Sequence, residues 1–279
     1  MTRPIYCETP PPPALADYVE CFWTSSGMKL TADARKHRVL PDGCVDILFN
    51  AELHPRGGLS SNCALSLVGT MTRYRDFILP ANPFYVGIRF KPAAVTSMLS
   101  FPVYEITDET IPLAEVWGSE GERLLEKLYR AGSAMDCAQI LRGVILRRLP
   151  PRKSGEASAV SHAVEKIVTA GGNVAIDRLS ASVNTSPRNL RRLVKAHAGI
   201  GPKRLCRVLR FRKLRRVLHD VVSPDWAALA LECGYYDQAH LVNEFRELSG
   251  YTPQEFHLRR SPERHSEAAE ATGIPALVR

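Results

Sequence analysis

The sequence predicts an α+β chain: an antiparallel β half with a few helices, followed by an all-α half. Three observations predict it. Short β-branched runs bounded by Pro and Gly turn signals fill much of residues 37–90. Apolar residues recur at helical spacing from residue 93 onward. The formal charge of +8 is also unevenly shared: residues 1–150 hold 16 Lys and Arg against 16 Asp and Glu, and residues 151–279 hold 21 against 13. A neutral half joined to a basic half points to a polyanion binder coupled to a second activity. At 279 residues the chain is long enough for each half to bury its own core.

The elements follow in order. Residues 1–13 end in four consecutive prolines and read as a stiff, exposed lead-in. Residues 37–50 (HRVLPDGCVDILFN) place a Pro-Asp-Gly turn before a β-branched run, and residues 64–72, 75–79 and 84–90 read as further strands. Pro80 and Pro83 mark the turn between the last two. Residues 93–100 form a short helical segment, 113–131 a longer helix and 134–149 another. This pair would cover the sheet or form a dimer contact. Residues 151–157 are the expected linker, 158–260 the helical domain, and 261–279 a tail with weak periodicity.

Seven scattered cysteines, without a CxxC pair, argue against a disulfide framework and fit a reducing cytoplasm. No apolar run approaches the ~20 residues that span a bilayer, and the N-terminus lacks the apolar core of a signal peptide. The expectation is a cytoplasmic protein that does not bind membranes.

An internal repeat organises the basic half. Leu190, Val194, Gly199, Pro202 and Leu205 reappear 51 residues later as Leu241, Phe245, Gly250, Pro253 and Phe256. Upstream the offset is 50, with Leu179, Ser180 and Val183 matching Leu229, Ala230 and Cys233, so the second copy has one more residue in its turn. In the first copy Asn184-Thr185 makes the turn, Ser186-Pro187 caps and starts the longer helix, and Gly199 ends it. In the second, Ser223-Pro224 starts the short helix, Gly234 turns, Asp237 caps and Gly250 ends. Each copy has the layout of a helix-turn-helix. Between them runs a basic helix whose stretch 201–216 carries eight Lys and Arg.

Residues 158–260 resemble the DNA-binding domain of the AraC/XylS family. One stretch that carries the match is Ser186-Pro187-Arg188-Asn189-Leu190-Arg191-Arg192-Leu193-Val194-Lys195, continuing to Gly199-Ile200-Gly201-Pro202. The other runs from Ala230 through Gly234-Tyr235-Tyr236-Asp237-Gln238-Ala239-His240-Leu241 to Phe245-Arg246, Gly250-Tyr251-Thr252-Pro253 and Phe256. The resemblance implies a seven-helix unit that places two recognition helices in successive major-groove segments. Less specifically, Tyr18–Trp23, Leu40–Leu48 and Val86–Pro92 resemble an uncharacterised domain found before AraC-type domains. By analogy it would be a cupin-like barrel or sheet that senses a signal or dimerises.

These readings select candidate residues. Arg188, Arg191 and Arg192 match base-facing family positions, and arginine can bond guanine O6 and N7 bidentately. Lys195 suits a phosphate. In the second helix Gln238 and Asn243 can read adenine, and His240 and Arg246 complete the candidate DNA-binding set. Asn243 stands where many relatives carry Arg. Trp23, Arg38, Asp46, Tyr85 and Arg89 could line an effector pocket near the strands; ordinary surface charge and a structural aromatic explain them as well. No GxSxG, Walker loop or GxGxxG occurs, and His37 and His54 form no metal-ligand pattern. The chain therefore reads as a transcriptional regulator rather than an enzyme, with no metal or cofactor. Its expected partner is double-stranded DNA. A small-molecule effector, RNA polymerase and a second copy of the chain are further partners this reading admits. Two other readings are a cysteine-dependent enzyme with a DNA-binding appendage and an architectural DNA binder of low sequence preference.

Overall fold

The computed structural model describes residues 5–26, 35–54, 58–148 and 156–260. The expected linker falls largely, and the expected tail wholly, outside the described residues. Eight strands come first: β1 (Ile5–Thr9), β2 (Val19–Ser26), β3 (Lys36–Val39), β4 (Val45–Glu52), β5 (Ala64–Val68), β6 (Arg75–Ile78), β7 (Pro83–Phe90) and β8 (Thr110–Pro112). Helices α1 (Leu113–Trp117), α2 (Ser119–Tyr129) and α3 (Ala134–Arg148) close the first half. The second half is α4 (Glu156–Thr169), α5 (Ile176–Ser182), α6 (Pro187–Ala198), α7 (Pro202–Asp220), α8 (Trp226–Glu232), α9 (Gln238–Ser249) and α10 (Pro253–Arg260).

Six strands form an antiparallel sheet in the order β1-β2-β7-β4-β5-β8, and β3 pairs with β6 as a separate ribbon. Of the barrel and sheet alternatives, the described strands form an open sheet. Its period-2 alternation divides the side chains between two cores. Ile47, Phe49, Val86 and Ile88 point to one face and pack with Leu113, Leu124, Leu128, Leu141 and Ile145 of the helices. Trp23, Leu48, Val68 and Tyr85 point to the other face and pack with Val39 and Leu79 on and beside the ribbon. The central strands β4 and β7 are covered on both faces, so nearly every residue in them is buried. Gly87 sits opposite Trp23 on β2, and a Cβ built there would lie 2.2 Å from the indole. Gly87→Ala should therefore displace Trp23 and cost about 1–3 kcal/mol. Chemical denaturation should show a lower midpoint; an unchanged one would refute the close approach.

Two expectations change in this half. The single helix over 113–131 is broken into α1 and α2, because Gly118 adopts φ 55° and the chain turns there. Gly121 then lets α2 approach α1 closely, as its Cβ would come within 2.8 Å of the Ala114 backbone. The lead-in contains a strand, β1, in register with β2 from Ile5↔Ser26 to Thr9↔Phe22.

The second half has its own core. α7 runs through its centre and buries Leu205, Val208, Leu209, Phe211, Leu214 and Leu218. Around it pack Val160 and Ile167 of α4, Leu190 and Val194 of α6, and Leu241 and Phe245 of α9. The two halves touch. Leu40 and Ala93 of the first half pack into this core, and Gly43 would place a Cβ 3.1 Å from Leu205.

Candidate nucleic-acid interface

The repeat read from sequence is present down to single hydrogen bonds. In the first unit Thr185 donates its N–H to the Ser180 carbonyl at 3.1 Å; in the second, Tyr235 donates to the matching Ala230 carbonyl at 2.8 Å. Asn184 takes the left-handed conformation at φ 50°, and Gly234 does the same at 83°. Ser186 Oγ accepts the Asn189 N–H at 3.2 Å to cap α6, and Asp237 Oδ1 accepts the His240 N–H at 2.7 Å to cap α9. Gly199 and Gly250, at φ 81° and 75°, end them. Thr252 and Glu255 form a reciprocal capping box at the start of α10, with bonds of 2.7 and 3.2 Å. One boundary differs from expectation. α8 begins at Trp226 rather than at Pro224, because the Asp225 carboxylate accepts both the Ala227 and Ala228 N–H groups at 3.1 Å.

Leu190, Leu193 and Val194 face the core, which turns Arg188, Arg191, Arg192 and Lys195 outward on α6. All four are exposed. Arg192 is held in place by its own helix: Nε and Nη2 both donate to Asn189 Oδ1, at 3.2 and 3.0 Å. Lys195 Nζ lies 5.1 Å from the ring of Tyr104, in a 3-10 turn of the first half. On α9, Gln238, Asn243 and Arg246 are exposed beside Ala239.

His240 is half-buried and both ring nitrogens are engaged within the unit. Nδ1 accepts the Tyr236 N–H at 3.2 Å, and Nε2 lies 3.2 Å from Glu244 Oε1. Glu244 was not among the sequence candidates. It is buried on the inner side of α9 and bonded by Arg207 at 2.9 Å and Arg210 at 3.1 Å. Its signal in the sequence was a glutamate inside the apolar stripe Leu241, Phe245, Leu248. Tyr236, just before the α9 cap, is 85% exposed.

Four of the eight basic side chains of α7 bond to groups elsewhere in the chain. Arg207 and Arg210 hold Glu244, Arg207 also pairs with Glu247, and Arg212 donates to Glu20 of β2 at 3.1 Å. Lys213 donates to the Glu232 carbonyl at 2.6 Å. Lys203, Arg204 and Arg216 are exposed.

Of the five candidate effector residues, three come together. Trp23 Nε1 donates to Asp46 Oδ1 at 3.1 Å, and Arg89 Nε lies 3.6 Å from Asp46 and 3.1 Å from Asp42. Tyr85 is on the same face of the sheet, cross-strand from Ser25, and both hydroxyls are buried without a hydrogen-bond partner among the described residues. Arg38 lies apart, at the boundary with the second half. Burial pushes the Asp46 carboxyl up to about 7, against the opposing pull of Arg89. An unfolded aspartate titrates at ~3.9. The native state therefore holds a proton the unfolded chain has lost, and this contribution to stability declines as pH rises from about 4 to 7. The Asp46→Asn variant should lose less stability than the wild type between pH 5 and 8; parallel denaturation profiles would contradict it.

Among the described residues no cluster of three or more His, Cys, Asp or Glu could hold a metal ion, and no helix is long and apolar enough to cross a membrane. All seven cysteines are free. Burial pushes the thiols of Cys206 and Cys233 up to about 11 and that of Cys21 up to about 12.

The fold and this surface define a paired helix-turn-helix protein with an antiparallel β half before it. Residues 179–259 match the family described as Helix-turn-helix domain, and residues 7–112 match Domain of unknown function (DUF6597). Residues 179–259 thus belong to a helix-turn-helix domain family. Similar solved structures include a transcriptional regulator (AraC-type DNA-binding domain-containing proteins) from Chromobacterium violaceum, at 23% identity and TM-score 0.35, covering 39% of this chain and 98% of that one. ToxT from Vibrio cholerae O395 is 9% identical with TM-score 0.41, covering 85% of this chain and 97% of that one. Unsaturated fatty acid bound ToxT from Vibrio cholerae strain SCE256 is 11% identical with TM-score 0.39, covering 92% and 94%. No curated protein matches the chain.

Proposed function

We propose that the chain is a sequence-specific regulator that lays α6 and α9 in successive major-groove segments. Residues 158–260 form the DNA-binding domain in this reading, and residues 1–150 modulate it. The observation that carries it is the pair of equivalent helices, each capped alike and each turning an exposed polar face outward. The helix α7 between them has 19 residues and spans ~28 Å, close to the ~34 Å of one DNA turn. Arg188, Arg191 and Arg192 read bases, and Lys195 meets phosphate. Gln238, Asn243 and Arg246 make the second contact, and His240 holds the turn before α9. The internal pairing of Arg207, Arg210 and Arg212 favours this over an architectural binder, which would present α7 as an open basic face. The buried hydroxyls of Ser25 and Tyr85, without a hydrogen-bond partner among the described residues, support a small polar effector in the first half.

Selection of genomic fragments on the full-length protein at about physiological salt tests the reading. The expected result is one enriched two-part motif. Enrichment of no motif would overturn it in favour of non-specific binding.

A further inference from the structure

The C-terminal ends of both recognition helices are capped from the other half of the chain. A helix leaves its last four carbonyls without intrahelical donors. At the end of α6, three of these carbonyls accept threonine hydroxyls. Thr96 donates to His197 at 3.0 Å, Thr70 to Ala198 at 2.8 Å and Thr107 to Gly199 at 2.8 Å. Thr70 is fully buried, and a Cβ at Gly199 would lie 3.0 Å from Thr107 and 3.1 Å from Thr70.

Arg38 holds the end of α9. Arg38 Nη1 donates to the Ser249 carbonyl at 3.1 Å. Its Nε and Nη2 are fixed by Asp76, both at 2.6 Å. The guanidinium stacks between Tyr74, 4.1 Å away on the first half, and Tyr251, 4.4 Å away just past α9. A third tie, Glu20 to Arg212, reaches the middle of α7. The β half thus touches both recognition helices and the helix that joins them.

We infer that the first half sets the distance and angle between the two recognition helices, and so selects the spacing of the two DNA segments. Thr70, Thr96, Thr107 and Arg38 are positioning residues in this scheme. They act through α6 and α9, whose outward faces stay exposed, and they tie spacing specificity to the state of the β half. The inference rests on the proposed two-site DNA reading.

The test is selection from a random duplex library, followed by affinity for the enriched site with one base pair inserted or deleted between its two parts. The full-length wild type is compared with Arg38→Gln, the Thr70→Val/Thr107→Val pair, and the Thr70→Ser/Thr107→Ser pair, which keeps the hydroxyls. Circular dichroism selects folded variants. The wild type should prefer one spacing by about tenfold, and Arg38→Gln and the valine pair should reduce this to about twofold. The serine pair should retain the wild-type preference, and contacts within each half-site should be unchanged. An unaltered preference in Arg38→Gln and the valine pair overturns the inference while leaving the DNA reading intact. A wild type that enriches no two-part site overturns both.

Discussion

Phe245→Ala is expected to destabilise the helical half by about 3–5 kcal/mol. Phe245 is fully buried and lies between two other rings, 4.9 Å from Phe211 of α7 and 5.2 Å from Phe256 of α10. Both contacts are edge-on, the geometry in which aromatic pairs gain beyond area burial. Truncation would leave a cavity where α7, α9 and α10 meet, lined by ring atoms that rigid helices cannot bring together. Denaturation followed by far-ultraviolet circular dichroism should show the helical transition falling to much lower denaturant. A shift equivalent to less than 1 kcal/mol would mean that Phe245 is not the keystone of the second unit. Phe245→Leu, which refills part of the volume, should recover a good share of the loss.

Arg192→Ala should weaken binding to the selected motif by about 10–100-fold, the range for losing one bidentate arginine–guanine contact. Its effect on random duplex should be far smaller. Asn189 explains why the loss should be large. It accepts both Arg192 nitrogens and is itself bonded to Thr185 Oγ1 at 2.9 Å, so the guanidinium is ordered before DNA arrives. Competition binding with specific and random duplexes separates the outcomes. Equal losses on both would make Arg192 a phosphate contact.

Much of the second half was legible because its determinants are local. Caps, left-handed turns and helix-ending glycines act within four residues, and the repeat presented each of them twice. The open positions of α6 followed from the apolar stripe Leu190, Leu193, Val194 opposite them. The role of α7 was not legible, since its arginines find partners far along the chain: Glu244 lies 37 residues from Arg207, and Glu20 lies 192 residues from Arg212. The threonines that cap α6 carried no signal either, because a hydroxyl declares its acceptor only once the two halves meet. In the β half, Pro-Asp-Gly and the β-branched runs located β3 to β7. The strand β1 was hidden because its neighbouring prolines suggest an exposed segment, and the break at Gly118 because the apolar spacing runs through it. Trp23, Asp46 and Arg89 were singled out separately by residue type, and only the register of β2, β7 and β4 brings them together.

In the proposed function, two helices of one chain read two adjacent stretches of one duplex. Hydroxyl-radical footprinting of the full-length protein on its selected site tests this most directly. The expected result is two protected patches on one face of the duplex, centred about 10–10.5 base pairs apart, with the patch under α6 lost first in Arg192→Ala. A single patch, or uniform protection of any duplex supplied, would contradict it.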